Sequence, residues 1–227
     1  MPAFLYLLLA HLVADFVLQP YELVKLKARP VGLAIHAGIY GALTALVAAP
    51  LFPRWPVVVL ALAAAHYLVD RVKVRSHLIH GPASFVVFLA DQAAHLIALA
   101  AVAGLAGLPR DASLTLGTPA VTGVLYYAVP YVTATFAGAI LLYQLALAYR
   151  TRRRPEDLLS PGPRVAGYAE RGLILTGVLF LAPAFWAVVA AWYAARLIAG
   201  RHQPGRWIEV AASGLVTLPL GVLFRLG

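Results

Sequence analysis

Three segments of the chain pair a histidine with an aspartate four residues away. These segments are HLVADFVLQ, HYLVDRVK and DQAAH, and their pairs are His11 with Asp15, His66 with Asp70, and Asp91 with His95. On a helix this spacing puts both side chains on one face, about one turn apart. For 7 histidines and 5 aspartates in 227 residues, chance predicts only about 0.3 such pairs. The three pairs therefore indicate a helical motif.

The two residue types of the motif provide the donor atoms of a divalent-metal site. Imidazole nitrogen and carboxylate oxygen bind zinc and related cations, and a cation would offset carboxylates that are costly to bury alone. The chain has no cysteine, which excludes thiolate ligands, iron–sulfur clusters and disulfides. We therefore predict a divalent-metal site, with either one cation or a two-metal centre, and zinc as the expected cofactor. Its candidate ligands are His11, His36, His66, His95, Asp15, Asp70 and Asp91.

Hydrolysis is the chemistry that such a site favours, because a bound metal with an open coordination position makes hydroxide from water near neutral pH. Asp15, Asp70 and Asp91 are the candidate catalytic carboxylates, sharing ligation, imidazole orientation and general-base duty. If the protein is an enzyme, a lipid-like or membrane-embedded molecule is the expected substrate. The candidate substrate-binding residues are Gln19, Arg71, Lys73 and Gln92.

Two other interpretations of the pairs remain open. Each aspartate could form a local hydrogen bond with the histidine of its own helix, which would make the protein a scaffold without chemistry. The same residues could also form a pathway for protons or cations, because membrane relays use chains of Asp and His. A metal-dependent hydrolase, a cation or proton transporter and a non-catalytic scaffold are thus the three candidate functions.

The composition of the chain predicts that these residues lie within a membrane. Hydrophobic residues make up 62% of the sequence, charged residues make up 12%, and the mean hydropathy is +0.83, which excludes an ordinary soluble domain. We predict an all-α integral membrane bundle of about seven spans, each long enough to cross the bilayer. The spans cover residues 3–20, 31–52, 55–75, 83–109, 117–149, 170–199 and 206–225.

The seven spans are expected to form a single domain, residues 1–227. Residues 1–109 would carry the polar motif on four helices, and residues 110–227 would support them. Pro130 predicts a kink or a boundary in the fifth span. A rise of about 1.5 Å per residue from the predicted cytoplasmic ends puts polar groups of the first four spans at depths of roughly 9–16 Å. We therefore expect these groups to meet in one cavity.

Basic residues set the predicted orientation of the spans. The 18 Lys and Arg against 9 Asp and Glu give a net charge of +9, which in a soluble protein would suggest nucleic acid. Here the basic residues gather after the first, third and fifth spans, as expected for cytoplasmic loops. We predict an inner-membrane protein that contacts lipids and no nucleic acid, with its N-terminus outside and its C-terminus in the cytoplasm.

Two details near the sixth span bear on this orientation. The connection after that span carries Arg196, Arg201 and Arg206 and disagrees with the predicted orientation, which puts it outside. At the start of the span, Glu170 and Arg171 are predicted to form an ion pair at the membrane interface.

The order of the polar motifs resembles that of a known family. HLVADFVLQ, His36 in the second span, HYLVDRVK, DQAAHLI and a later YAERGLI are similar to an uncharacterised bacterial family of multi-pass membrane proteins, number 3307 among the domains of unknown function. Near the end of the sixth span the chain has Ala194, Ala195 and Arg196, where the resemblance implies a lysine and a serine. The resemblance implies no activity. It implies that the motif positions are His11, Asp15, Gln19, His36, His66, Asp70, Lys73, Asp91, Gln92 and His95.

Overall fold

The computed structural model describes residues 2–50, 52–76, 83–106, 119–149, 158–180, 184–199, 201 and 205–226. All regular elements within these ranges are helical, which confirms the predicted all-α class. The helices are α1 Pro2–Leu12, α2 Tyr21–Leu26, α3 Pro30–Ala48, α4 Trp55–Arg75, α5 Ser84–Leu105, α6 Pro119–Val132, α7 Gly138–Tyr149, α8 Pro161–Phe180, α9 Ala184–Ala199 and α10 Arg206–Leu226. The same ranges contain two π-helical turns, Val13–Val17 after α1 and Thr133–Ala137 between α6 and α7.

Four helical stretches of the described chain are long and apolar enough to cross a membrane. They lie in α3, in α5, in the joined α6 and α7, and in α10, and each corresponds to a predicted span. The α1 helix with its π-turn and the α9 helix are apolar but shorter. The α4 helix has sufficient length, but its last turns contain Asp70, Arg71, Lys73 and Arg75. Length and composition thus support four of the seven predicted spans.

The predicted sixth span is not one helix. Residues 170–199 contain the second half of α8, which begins at Pro161, and all of α9, which begins at Ala184. Pro183 precedes α9 directly in the sequence. Glu170 of α8 pairs with Arg196 of α9, 26 residues later, whereas one straight helix would hold them about 39 Å apart. A proline within an apolar segment is a sequence signal for such a break.

The predicted irregularity at Pro130 takes the form of a π-turn. The α6 helix continues through Pro130 to Val132 and then widens over Thr133–Ala137 before α7 begins. Proline cannot donate the backbone hydrogen bond of its turn, and such sites are common places for helix distortion. The chain therefore stays helical through this segment, but the backbone carbonyls near the π-turn become available to other partners.

The described chain forms two compact units. Unit 1 comprises Met1–His80 and Val86–Val129, and unit 2 comprises Gly81–Phe85 and Pro130–Gly227. The predicted single domain, with its division after residue 109, stays a prediction.

Unit 1 is built around the packing of α3 against α4 and α1. A Cβ atom on Gly41 of α3 would lie 3.4 Å from the Ala63 Cβ of α4, so small residues allow these two helices to approach closely. An apolar core fills the end of unit 1 where α3 ends and α4 begins. Its buried members are Tyr6, Leu7, Ala14, Tyr40, Ala48, Phe52, Val58, Leu62, Leu99 and Ala103.

Unit 2 is built around α8 and α10. A Cβ atom on Gly221 of α10 would lie 2.4 Å from Val178 Cγ1 of α8, so only glycine permits this approach. Ala134, Leu175 and Leu179 form the buried apolar core beside the second π-turn. Both units therefore pack their helices through small residues, as helices in lipid commonly do.

Candidate metal centre

Unit 1 buries all of the predicted metal ligands and brings them together. They project from the first π-turn and from α1, α3, α4 and α5, and every one of them is at most 9% exposed. Groups of three or four of these residues place their donor atoms within 4.8 Å of one another. The expectation that polar groups from four separate segments meet is confirmed within unit 1, and their common depth in a bilayer stays a prediction. We call these residues the His/Asp cluster: His11, Asp15, His36, His66, Asp70, Asp91 and His95.

The tightest part of the His/Asp cluster has the dimensions of a metal-ligand set. Asp15 Oδ1 lies 3.1 Å from His36 Nε2 and 3.2 Å from His66 Nε2, and the two imidazole nitrogens are 3.0 Å apart. Asp70 Oδ2 lies 3.5 Å from His36 Nε2 and 3.7 Å from His66 Nε2. Ligands of a tetrahedral zinc ion with bonds of about 2.0–2.1 Å are about 3.3–3.4 Å apart. Asp15 Oδ1 and the two imidazole nitrogens can therefore contact one such ion, and Asp70 Oδ2 lies close to the same two nitrogens.

A second part of the His/Asp cluster lies near the Oδ2 atom of Asp15. His11 Nε2 is 3.9 Å and His95 Nε2 is 4.0 Å from Asp15 Oδ2. Within the described chain, His11 Nε2, both ring nitrogens of His95 and Asp91 Oδ1 have no hydrogen-bond partner. Buried polar groups are rarely left in this state, because an unsatisfied group costs about 1–3 kcal/mol.

A small cavity adjoins these unpartnered atoms. Its volume is about 10 Å³, and His11, Tyr40, His66 and His95 contribute to its lining. About 10–15 Å³ is the smallest volume that holds a single water molecule. The cavity therefore fits one water or one ion.

Local pairing within each helix does not describe the structure. The His11 and Asp15 atoms are 3.9 Å apart and the His66 and Asp70 atoms are 3.7 Å apart, which is too long for hydrogen bonds, and His95 has no hydrogen-bond partner in the described chain. The short contacts join different elements instead. The interpretation of the pairs as self-contained local hydrogen bonds is therefore wrong, because the side chains turn toward neighbouring helices.

Two lysines compensate two of the three carboxylates. Lys27 Nζ lies 2.6 Å from Asp70 Oδ2, and Lys73 Nζ lies 2.6 Å from Asp91 Oδ2. Lys27 is buried, although its position between two spans predicts only a topology-setting loop charge. The signal that sequence reasoning missed is its place in a short connection whose two flanking spans both carry cluster residues. A buried carboxylate next to a lysine needs no further cation, which leaves Asp15 as the uncompensated acid.

The predicted substrate-binding residues fall into two classes. Gln19 Oε1 accepts a hydrogen bond from Lys27 at 2.9 Å, and Gln92 Nε2 donates one to Asp91 Oδ2 at 3.0 Å. These two amides, like Lys73, therefore position charged members of the centre. Arg71 is half-buried, and within the described residues no hydrogen bond or ion pair joins it to the His/Asp cluster.

Tyr40 is a further member of the centre that the His/Asp pattern does not predict. It is buried on α3, and its ring centroid lies 4.5 Å from that of His66 and 5.8 Å from that of His11. Its spacing of four residues from His36 puts both side chains on one helix face, which is the signal that identifies it.

Comparison with known proteins assigns the part of the chain that contains this centre to a protein family. Residues 3–121 match the family described as Protein of unknown function (DUF3307). The chain belongs to this family. The matched residues of this DUF3307 protein include the whole His/Asp cluster. The match ends before the later YAERGLI segment. No curated protein and no solved structure matches the chain.

Outside the matched residues, the DUF3307 protein buries a different kind of charge. Arg171 Nε donates to the Ala134 carbonyl at 2.7 Å, and its Nη2 donates to the Thr135 carbonyl at 2.9 Å. Glu170 pairs with Arg196, so the predicted pair of Glu170 with Arg171 is wrong. Consecutive residues of a helix point in different directions, and each of these two side chains therefore finds its own partner.

Proposed function

We propose that this DUF3307 protein is an integral membrane protein that holds a divalent cation in unit 1 and uses it to hydrolyse a lipid-like or membrane-embedded substrate. The observation that carries the proposal is the triangle of Asp15 Oδ1, His36 Nε2 and His66 Nε2, whose sides are 3.0–3.2 Å. Two imidazoles and one carboxylate, with a fourth position left for water, are a ligand set of hydrolytic zinc sites. Zinc is the metal that this donor set favours.

The surrounding residues have separate roles in this proposal. The ion acts as a Lewis acid and activates water when it is bound. Asp70, whose Oδ2 atom lies 2.6 Å from Lys27 Nζ and 3.5 Å from His36 Nε2, would orient the His36 imidazole. Asp91 is the proposed general base, because its Oδ1 has no partner in the described chain while its Oδ2 is fixed by Lys73 and Gln92.

The position of the charged groups favours an enzyme over a transporter. On α4, Asp70 and Lys73 follow His66, whereas Val58 and Leu62 precede it and belong to the apolar core. The apolar core residues of α3 and α5 lie on the same side of the cluster. A transport pathway would need polar groups on both sides of the cluster. Within the described residues of unit 1, the acids and lysines lie on one side, where a substrate can approach, and only Arg54 carries a charge at the opposite end.

Lys73 and Arg71 favour a substrate with an anionic group. The Lys73 side chain is 27% exposed while its partner Asp91 is 2% exposed, so it connects the buried cluster with the surface of unit 1. Arg71 lies half-buried two residues earlier. Positive charge at this edge would attract and orient an anionic lipid headgroup, while Gln19 and Gln92 act by holding Lys27 and Asp91.

Reconstitution into vesicles tests the proposed activity. Purified protein is placed in vesicles of phosphatidylglycerol and phosphatidylethanolamine, with zinc or after chelation, and lipid products are measured by mass spectrometry. We expect products only with zinc, and a loss of about 100-fold or more in Asp91→Asn with the zinc retained, as for removal of a general base. Thr44→Val, a buried change on α3 outside the cluster, is the matched control.

Intact lipids under all conditions would contradict hydrolysis of these substrates. A zinc-dependent flux of protons or cations across the same vesicles, without lipid products, would favour the transporter instead.

The break between α8 and α9 revises the proposed topology in the inner membrane. We propose that both helices cross the bilayer, which gives eight crossings in place of seven. The connection with Arg196, Arg201 and Arg206 then lies on the cytoplasmic side together with the other basic loops, and the disagreement with the positive-inside rule disappears. Both termini would lie outside.

The absence of cysteine from the sequence makes this topology simple to test. Single cysteines are introduced as Arg29→Cys, Arg54→Cys and Arg201→Cys, all at exposed positions, and are labelled in spheroplasts with a membrane-impermeant maleimide. We expect labelling of Arg54→Cys alone. Labelling of Arg201→Cys together with Arg54→Cys would restore the seven-span topology.

A further inference from the structure

We propose that the His/Asp cluster holds a second divalent cation, bound by His11, His95 and the Oδ2 atom of Asp15, so that Asp15 bridges two ions. This inference rests on the proposed metal centre, in which Asp15 Oδ1, His36 and His66 hold the first ion.

The two carboxylate oxygens of Asp15 face different groups of imidazoles. Oδ1 lies 3.1–3.2 Å from the Nε2 atoms of His36 and His66, whereas Oδ2 lies 3.9–4.0 Å from those of His11 and His95. Two ligands of one ion with bonds of about 2.0–2.1 Å are at most about 4.2 Å apart. One ion can therefore contact Asp15 Oδ2 and either imidazole at the distances found.

The unpartnered nitrogens supply independent support for the second ion. His11 is 2% and His95 is 4% exposed, their ring centroids are 4.9 Å apart, and His11 Nε2 and His95 Nε2 have no hydrogen-bond partner in the described chain. The first ion does not use either side chain. The cavity of about 10 Å³ beside these rings is large enough for an ion.

The distribution of charge also favours Asp15 as the bridge. Lys27 compensates Asp70 and Lys73 compensates Asp91, whereas the partners within 4.0 Å of Asp15 are imidazoles. A buried carboxylate without a cation is costly. Two cations that share Asp15 would remove this cost, and pairs of ions about 3.5–4 Å apart are used by hydrolytic enzymes to bind both sides of a reacting group.

Stoichiometry and magnetic coupling test the second site in the purified full-length protein. The protein is stripped with a chelator, loaded with Mn²⁺, and analysed by mass spectrometry for metal content and by electron paramagnetic resonance for coupling. We expect two ions per chain with an exchange-coupled signal in the wild type. His95→Ala should hold one ion with an uncoupled signal, and Thr44→Val should match the wild type.

Each result distinguishes the second site from the first. One ion per chain in both the wild type and His95→Ala would overturn the second site and leave the first intact, whereas no bound ion in the wild type would overturn both. Two ions without coupling would overturn the Asp15 bridge. If His95→Ala does not fold, His11→Gln keeps a neutral amide in place of the ring and is expected to hold one ion, and two ions in that variant would contradict the proposal.

Discussion

The two units of this protein bury ionisable side chains in different ways. In unit 2, the Arg171 guanidinium donates to two backbone carbonyls at 2.7 and 2.9 Å, so its role in packing accounts for its contacts. In unit 1, His11 and His95 are equally buried, yet the described chain offers no hydrogen-bond partner to His11 Nε2 or to either nitrogen of His95. The fold thus satisfies the Arg171 guanidinium, whereas these imidazole nitrogens of unit 1 are available to the proposed ligand.

The two π-turns show the same difference. The turn Thr133–Ala137 follows Pro130, and Arg171 binds carbonyls within it. The turn Val13–Val17 instead carries Asp15, the acid that contacts imidazoles from several helices. Single π-turns within helices are frequent at functional sites. One backbone irregularity therefore has a structural use in unit 2 and a proposed chemical use in unit 1.

Removal of a proposed metal ligand from unit 1 should have the largest effect of the substitutions, and this effect should be on zinc affinity. His66→Ala deletes a nitrogen that lies within 3.2 Å of both His36 Nε2 and Asp15 Oδ1. Loss of a residue that only hydrogen-bonds to a metal ligand lowers metal affinity by about 10–100-fold. His66 is a proposed direct ligand, so we expect zinc affinity to fall by more than about 100-fold. Competition with a chromophoric chelator measures this affinity. Unchanged zinc affinity would contradict the proposed metal-binding role of unit 1, and with it the contrast with unit 2.

Removing the buried charge of unit 2 should affect stability instead of metal binding. Arg171→Met deletes two charge-assisted hydrogen bonds and exposes two carbonyls to an apolar environment. We expect the free energy of unfolding to fall by about 2 kcal/mol, with zinc content unchanged. Titration with SDS in mixed micelles measures the first quantity and elemental analysis the second. A parallel loss of zinc would show that Arg171 supports the metal centre.

A smaller change tests how tightly unit 2 encloses Arg171. A Cβ atom on Gly167 would lie 3.2 Å from Arg171 Nη1, so Gly167→Ala should cost about 1 kcal/mol of stability through overpacking. Gly162→Ala on the same helix is the matched control, since no atom lies within 4 Å of its added Cβ. Equal stability of the two variants in the same SDS titration would contradict the tight packing around Arg171.

The sequence was sufficient to predict the convergence of the His/Asp cluster. Helix periodicity fixes which side chains share a face, and the length of an apolar span fixes depth, so Asp15, His36, His66 and Asp91 could be placed in one layer before any contact was known. The partners across helices were not predictable in this way. They depend on helix rotation and on side-chain reach, which periodicity does not specify.

Features set by local backbone changes were the ones that sequence reasoning missed. Lys27 directly follows the short helix α2 and contacts Asp70 of the cluster. A helix of this length is too short to produce a hydropathy signal. The sequence signal for the break before α9 is a single proline, Pro183, within a continuous apolar segment. Glu170 and Arg171 are adjacent in sequence but point in different directions, so nearness along the chain predicted the wrong pair.

The metal content of the purified wild-type protein tests the central claim most directly. Protein purified without chelators is analysed for divalent metals beside Arg171→Met, whose unit 1 is unchanged in sequence. We predict at least one equivalent of divalent metal per chain in both proteins. A content well below one equivalent in the wild type, even after exposure to zinc and removal of the excess, would contradict the account.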